Sequence, residues 1–253
     1  NPAKDLLQNT SLNDIVKQQT QVFTLHTNDS LWTAVKTLKE NRIQAAPVLD
    51  DDGVFQGFLD VRDITNYIVA CAPDPNTLHS KPIQSLEIAG RAISLVPLQR
   101  VMTVSQKAHD LVFVSSPASH ACQVFTSGAH HVALCDESQK IIKVCSQMDV
   151  VRFVANKLPA AMKDKPLKEY GYGKCQVFSI TQDQPVLSAL QKIAIVSVGA
   201  IAVVDDNGRL VGNFSASDLK GLYQDSLPPM TISIREYLTM HSPTSLNPIT
   251  CNP

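Results

Sequence analysis

Apolar and polar residues follow one another along this chain in a pattern that repeats. In the first copy, residues 22–25 are strand-like, residues 30–40 carry apolar side chains at helical spacing, residues 45–49 and 54–59 form two apolar runs, and residues 60–70 again have a helical pattern. An Asp-Gly turn separates the two apolar runs, as in a β-hairpin. This order predicts one strand–helix–strand–strand–helix unit.

The same order occurs three times. An apolar strand opens each copy, and an aspartate near a helix start closes it: Phe23 and Asp63, Phe113 and Asp149, Phe178 and Asp218. We expect repeat one at residues 12–72, a linker at 73–104, repeat two at 105–157, repeat three at 166–223 and the start of a truncated fourth repeat at 231–253, with a strand beginning near Ser245. Each unit is too small to cover both faces of its own sheet. Residues 12–157 should therefore form one pair, and residues from 166 onward should start a second pair.

Composition narrows the possible classes of function. The chain has 253 residues, is 44% hydrophobic and 18% charged, and has a net charge of −1, which is compatible with a folded core. It has no cluster of Lys and Arg, which argues against nucleic acid as a partner, and its apolar runs are too short to span a bilayer. The first residue is Asn1, with no initiator Met or signal peptide, as in a fragment. Six cysteines without a CxxC motif indicate reduced thiols in a cytoplasmic or nuclear protein.

The end of repeat three has the features of a nucleotide site. Ser215 and Asp218 stand three positions apart at a helix start, where free N–H groups favour a phosphate. Asp218 is suited to accept hydrogen bonds from the hydroxyl groups of a ribose. Gly212 would let a ligand approach the backbone. The alternative is a capping box, which needs no ligand.

The two other copies each change one element of this motif. In repeat one, Asp63 keeps the ribose position, but Asp60 replaces the hydroxyl and would repel a phosphate. Capping and ligand binding are equally compatible with that pair. In repeat two, Ser146 and Asp149 are retained, while Lys143 replaces the glycine.

Further candidate ligand residues lie on strands and loops. His130 and His131 precede a turn and should point to opposite faces of a strand. Ala200 or Ile201 can offer backbone groups to an adenine edge, and Thr27 and Thr181 can offer hydroxyl groups. The sequence contains no catalytic motif, no cofactor motif and no metal-ligand spacing, so we expect a protein that is not an enzyme.

The repeated motif resembles a known family. Residues 45–50 (AAPVLD), a glycine turn, and then Gly57, Phe58, Leu59 and Asp63 resemble the cystathionine-β-synthase (CBS) repeat, which forms tandem pairs called Bateman modules. The resemblance implies an α/β fold of tandem CBS repeats paired into such modules. It also implies a ribose-binding role for the aspartates at the ends of the repeats.

A closer resemblance is to the γ regulatory subunit of the AMP-activated protein kinase family, which has four such repeats. Residues 41–48 are similar to its first repeat, and residues 110–119 to its second. His130 and His131 fall where the γ subunit presents His-Arg to phosphates. The γ pattern usually has a basic residue at the position of Asp149, so repeat two departs from the family there.

Two hypotheses of function follow. The first is an adenine-nucleotide sensor that binds AMP, ADP or ATP, most strongly through repeat three, and regulates a protein partner. Kinase catalytic and scaffold subunits, or a second copy of the chain, are the partners that the resemblance implies. The second is a CBS-repeat scaffold whose ligand sites are degenerate or empty. A regulatory region detached from an enzyme or transporter is a third possibility. No nucleic acid or membrane partner is expected.

Overall fold

The structure, a computed structural model, describes residues 2–72, 82–102, 111–157, 166–171, 176–221, 228–248 and 250. Its strands are β1 (Leu25–His26), β2 (Ala45–Leu49), β3 (Phe55–Asp60), β4 (Leu111–Phe113), β5 (His131–Cys135), β6 (Ile141–Ser146), β7 (Ser179–Thr181), β8 (Ala200–Val204) and β9 (Leu210–Ser215). Its α-helices are α1 (Pro2–Gln8), α2 (Leu12–Ile15), α3 (Leu31–Glu40), α4 (Val61–Cys71), α5 (Ile83–Ser94), α6 (Leu98–Met102), α7 (Ala118–Thr126), α8 (Gln147–Lys157), α9 (Val186–Val196) and α10 (Ile234–His241). Short 3-10 helices cover Leu167–Tyr170, Ala216–Gly221, Pro228–Met230 and Pro243–Leu246.

Three sheets share one topology, which confirms the predicted α/β repeat. Each sheet has three strands in sequence order, the first parallel to the second and the second antiparallel to the third. The register of each hairpin shifts at the same place, namely between Val48 and Leu49, between Leu134 and Cys135, and between Val203 and Val204. The repetition therefore extends to local backbone irregularities.

Some elements differ from the sequence-based expectation. The opening strands are shorter than the apolar runs that predicted them; β1 covers only Leu25–His26. The helix expected from Ser215 is a 3-10 helix at Ala216–Gly221, and residues 222–227 lie outside the described part of the chain. Around Ser245, where a strand was expected, the chain forms a 3-10 helix with Pro243 in its first turn. Proline fixes φ and lacks an N–H, so it favours this first-turn position.

Three short helices, α2, α6 and α10, each pack on a repeat whose strands are not the next ones in the sequence. The Leu12 N–H donates to the Ser116 carbonyl at 2.9 Å, which joins α2 to repeat two. In the same way, the Leu98 N–H donates to the Asp29 carbonyl of repeat one, and the Ile234 N–H to the Gln184 carbonyl of repeat three. The loop between the first strand and first helix of every repeat is thus completed by a helix from elsewhere in the chain.

Two apolar cores result from this arrangement. The larger core combines repeats one and three: α4 packs against α9 and the 3-10 helix at Ala216–Gly221, and Leu59, Leu190 and Phe214 are fully buried in it. The smaller core belongs to repeat two and includes Leu12 from α2. Repeat one thus shares a core with repeat three, and a cavity separates it from repeat two.

Candidate functional site

The three candidate aspartates share one hydrogen bond. The second carboxylate oxygen, Oδ2, of each accepts from a backbone N–H three positions earlier, at 2.8 Å: Asp63 from Asp60, Asp149 from Ser146, and Asp218 from Ser215. This bond closes the helix start and is the capping contact expected without any ligand. The surroundings of the carboxylate therefore decide which site is suited to a ligand.

In repeat three, the chain itself occupies the motif. The Ser245 hydroxyl donates to Asp218 Oδ1 at 3.0 Å, and the aspartate is only 8% exposed. A Cβ added at Gly212 would lie 2.9 Å from the Ser245 carbonyl oxygen. The glycine thus permits the close approach of the chain segment 243–246. That repeat three contributes most to ligand binding stays a prediction. A ligand bound at Asp218 would have to compete with the segment 243–246.

In repeat one, Asp60 and Asp63 form a complete capping box. The Asp60 side chain accepts from the backbone N–H groups of Arg62 and Asp63, while Asp63 accepts from that of Asp60. Both carboxylates are buried, with Asp63 only 2% exposed. This geometry is that of a capping box, which stabilises the start of α4 without any ligand.

Repeat two has the same two bonds at Oδ2 as repeat three but differs from it at Oδ1. Asp149 Oδ2 accepts from the Ser146 N–H and also from the Ser146 hydroxyl at 2.6 Å. Asp149 Oδ1 has no hydrogen-bond partner in the part of the chain that the structure describes. Lys143, which replaces the glycine, donates to Asn13 Oδ1 at 3.0 Å and to the Val16 carbonyl at 3.2 Å. Asp149 therefore keeps an oxygen that can accept from a ligand.

Asp149 lines a cavity of about 290 Å³ between repeats one and two. This volume lies just below the roughly 300–1,000 Å³ that is typical of small-molecule sites. Apolar side chains of Val22, Phe23 and Ile43 form part of its wall. A planar base could be accommodated against these groups.

The polar part of the wall includes Arg42 and His131. Arg42 has a φ of 54°, in the left-handed region, and its N–H donates to the Lys39 carbonyl where α3 ends. A guanidinium group in the wall gives the cavity a donor for phosphate oxygens. Sequence reasoning missed Arg42 because one arginine after a helix is usually a solvated surface residue. The ring centroid of His131 lies 5.8 Å from that of Phe58.

His130 lies outside this cavity wall and joins two repeats. Arg62 Nη1 lies 2.9 Å from His130 Nε2, and His130 Nδ1 lies 3.1 Å from Gln147 Oε1. Arginine can only donate, so Nε2 accepts and Nδ1 carries the proton that is donated to Gln147. A Cβ at Gly199 would be 3.4 Å from Arg62 Nη2, which places Arg62 where the three repeats meet. Both ring nitrogens of His130 are engaged in this junction.

The remaining candidates lie apart from the cavity. Ile201 is buried in the larger core, and Ala200 is exposed at the first position of β8. The Thr27 carbonyl accepts from Gln99, and the Thr181 carbonyl accepts from Gln184. None of Thr27, Thr181, Ala200 and Ile201 is among the residues that line the cavity between repeats one and two.

Burial raises the pKa of the Cys145 thiol from 9.0 to about 12, and the nearby charge of Asp149 and the Cys122 thiol add to the shift. A raised folded-state pKa contributes stability that is fully present below pH 9 and is lost as the pH rises towards the folded value. We expect the free energy of unfolding to fall more steeply between about pH 9 and 11 in the wild type than in Cys145→Ala. Urea unfolding at several pH values measures both slopes. Parallel curves would contradict the assignment.

A Gly212→Ala substitution is expected to destabilise the protein, because its Cβ would meet the backbone of Ser245. Overpacking of this kind costs about 1–3 kcal/mol, which lowers the melting temperature of a chain of this size by roughly 2–4 °C per kcal/mol. The matched control is Gly199→Ala, whose Cβ meets only the flexible end of Arg62 at 3.4 Å. Equal melting temperatures for both variants would show that segment 243–246 does not pack as described.

Neither a metal centre nor a membrane span is found in the described ranges. No group of three or more His, Cys, Asp or Glu side chains there is arranged to hold a metal ion. No helix within the same residues is long and apolar enough to cross a bilayer.

Comparison with known proteins finds two segments of the chain that are similar to CBS domains. The CBS domain model matches residues 12–70 and 170–225. The crystal structure of protein MJ1225 from Methanocaldococcus jannaschii, described there as an archaeal homologue of γ-AMPK, superposes with a TM-score of 0.69, covering 90% of this chain and 81% of that one. The two sequences are 15% identical, so this similarity shows the fold alone.

Curated relatives come from fungi. Protein sds23 of Sclerotinia sclerotiorum is 27% identical over 237 residues, which are 88% of this chain and 43% of that protein. Protein sds23/moc1 of Schizosaccharomyces pombe is 27% identical over 143 residues, which are 54% of this chain and 35% of that protein. The chain therefore spans less than half the length of either relative. Both carry the sds23 name and not that of a kinase γ subunit.

Proposed function

We propose that the chain, which matches the CBS domain model at residues 12–70 and 170–225, is a non-catalytic regulatory module that binds an adenine nucleotide between repeats one and two. The observation that carries this proposal is Asp149, whose Oδ1 has no partner in the described residues and which lines a cavity that also contains Arg42. In repeat three the corresponding oxygen accepts from Ser245. The cavity of repeat two is therefore the site that a ligand can enter without displacing the chain.

Each part of a nucleotide has a counterpart in the cavity wall. Val22, Phe23 and Ile43 offer apolar surface to the base. Asp149 accepts hydrogen bonds from the ribose hydroxyls, and Arg42 donates to a phosphate. A ligand that touches Arg42 of repeat one and Asp149 of repeat two stabilises one arrangement of the two repeats.

Regulation then follows from a difference in affinity. A nucleotide that binds one arrangement of repeats one and two more tightly shifts the population towards it. A protein partner that recognises this arrangement responds to the nucleotide. The γ-subunit resemblance implies kinase subunits as one such partner. The sds23 relatives are not named as kinase subunits, so we propose a protein partner without assigning it to the kinases.

Thermal unfolding with different nucleotides tests the proposal. At a hundredfold excess over Kd, a ligand bound only by the folded state adds about 2.7 kcal/mol, which corresponds to a rise of roughly 5–10 °C in melting temperature for a chain of this size. We expect this rise with at least one of AMP, ADP and ATP, little change with CTP or UTP, and no sustained hydrolysis of ATP. No shift with any adenine nucleotide, or equal shifts with all five nucleotides, would contradict it.

The scaffold is the second candidate function, because two of the three motifs are satisfied internally. Ser245 bonds to Asp218, and Asp60 and Asp63 cap each other. A protein that gives no nucleotide response, yet loses stability on Gly212→Ala, would support this candidate. Its repeats would then serve as an interaction surface.

A further inference from the structure

A second cavity, of about 750 Å³, lies on repeat two beside the nucleotide cavity. Its wall is formed by the end of α1, by residues 14–19 and by α8. Gln19, Val144 and Asp149 line both cavities, so the two are neighbours that share one wall. We name the larger one the outer cavity.

Three cations line the outer cavity: Lys17, Arg152 and Lys157. They come from two distant parts of the chain, since Lys17 follows α2 and the other two belong to α8. The side chains of these three residues have no hydrogen bond or ion pair within the described ranges. All three side chains are exposed, so an anion can reach them from the solvent.

Two carboxylates, those of Asp14 and Asp149, also line the outer cavity, and their two negative charges are fewer than its three positive charges. Asp14 accepts from the Ser11 hydroxyl at 2.8 Å, and Asp149 accepts from Ser146. Lys143, whose ammonium group bonds to the Val16 carbonyl in the cavity wall, adds a further positive charge that only neutral oxygens contact. The local balance is therefore positive, although the whole chain has a net charge of −1.

We propose that the outer cavity is a second anion-binding site that takes the phosphate groups of a polyphosphate. Arg152 offers a planar guanidinium that fits two phosphate oxygens, while Lys17 and Lys157 act as point charges. A polyphosphate has enough negative groups to contact all three cations at once. The phosphates come either from a nucleotide held at Asp149 or from a separate inorganic polyphosphate. Occupancy by the latter does not depend on the nucleotide site.

The test uses the full chain with inorganic tripolyphosphate and with ATP as probes, at constant ionic strength. The informative variant is Lys17→Ala with Arg152→Ala, and its control is Lys168→Ala with Arg209→Ala, which removes the same charge from exposed positions that do not line the outer cavity. Titration calorimetry measures affinity. We expect the first double variant to lose at least about tenfold in affinity for one or both probes, and the control to stay near wild type.

The outcomes distinguish the phosphates of a nucleotide from a separate inorganic polyphosphate, and the outer cavity from the nucleotide cavity. Tripolyphosphate binding that the first double variant weakens and the control retains shows that the outer cavity takes a separate polyphosphate, and it stands even when AMP fails to bind and the proposed function fails. If only ATP binds and the first double variant weakens it, the phosphates belong to the nucleotide. Equal losses in both double variants would mean general charge screening and would overturn the proposal. The proposal would also be overturned if neither tripolyphosphate nor ATP binds to the wild type.

Discussion

An Asp149→Ala variant is expected to lose the melting-temperature rise that adenine nucleotides give the wild type. The substitution removes the oxygen that we assign to the ribose hydroxyls, so most of the roughly 2.7 kcal/mol of ligand stabilisation at a hundredfold excess disappears. Without nucleotide, the variant loses only the bond from the Ser146 N–H at 2.8 Å and that from the Ser146 hydroxyl. Loss of a helix cap costs about 1 kcal/mol. Differential scanning fluorimetry with and without nucleotide separates the two effects.

Asp218→Ala is the matched control. It removes the same two capping contacts, from the Ser215 N–H and the Ser215 hydroxyl, and also the contact with Ser245. We expect it to lower the stability of the free protein but to keep the nucleotide response. If Asp218→Ala abolishes the response and Asp149→Ala retains it, the ligand binds at repeat three, as the complete motif in the sequence indicates.

Leu12→Ala is expected to destabilise repeat two, although Leu12 lies at the start of repeat one in the sequence. Its side chain is fully buried in the core that contains Val112, Val132 and Leu134. A buried Leu→Ala substitution costs about 2–5 kcal/mol. Amide hydrogen exchange should show the loss of protection first in β5 and β6.

Leu31→Ala provides the comparison for Leu12→Ala. Leu31 is 2% exposed and belongs to the core of repeats one and three, so its loss should reduce protection in β2 and β8. A Leu12→Ala variant in which β2 and β3 lose protection before β5 and β6 would show that α2 packs on its own repeat.

The sequence predicts the repeat because the fold depends on local patterns. The helical spacing of Leu31, Ala34 and Leu38 defines the buried face of α3, and all three are buried in the structure. The Asp-Gly turn places Gly53 at a φ of 78°, a conformation that glycine adopts without strain. These signals need no knowledge of the rest of the chain.

The packing of each short helix on another repeat could not be predicted from the sequence in the same way. The apolar residues of α2 indicate that it is buried, but not which repeat buries it, because both candidate partners expose a similar loop. Likewise, the spacing of Ser215 and Asp218 is compatible with a cap or a ligand site, and the decisive neighbour, Ser245, is distant in sequence. Arg42 and Asp149 come to line the same cavity only through the packing of two repeats.

The most direct test of nucleotide binding between repeats one and two is an amide hydrogen-exchange map with and without saturating ATP, repeated with AMP. Ligand contacts there should slow exchange at residues 19–23 and 144–149, which line the cavity or flank its wall. Residues 212–218, where Ser245 already contacts Asp218, should exchange at an unchanged rate. Slower exchange at 212–218 without a change at 144–149, or no change anywhere with either nucleotide, would contradict the account.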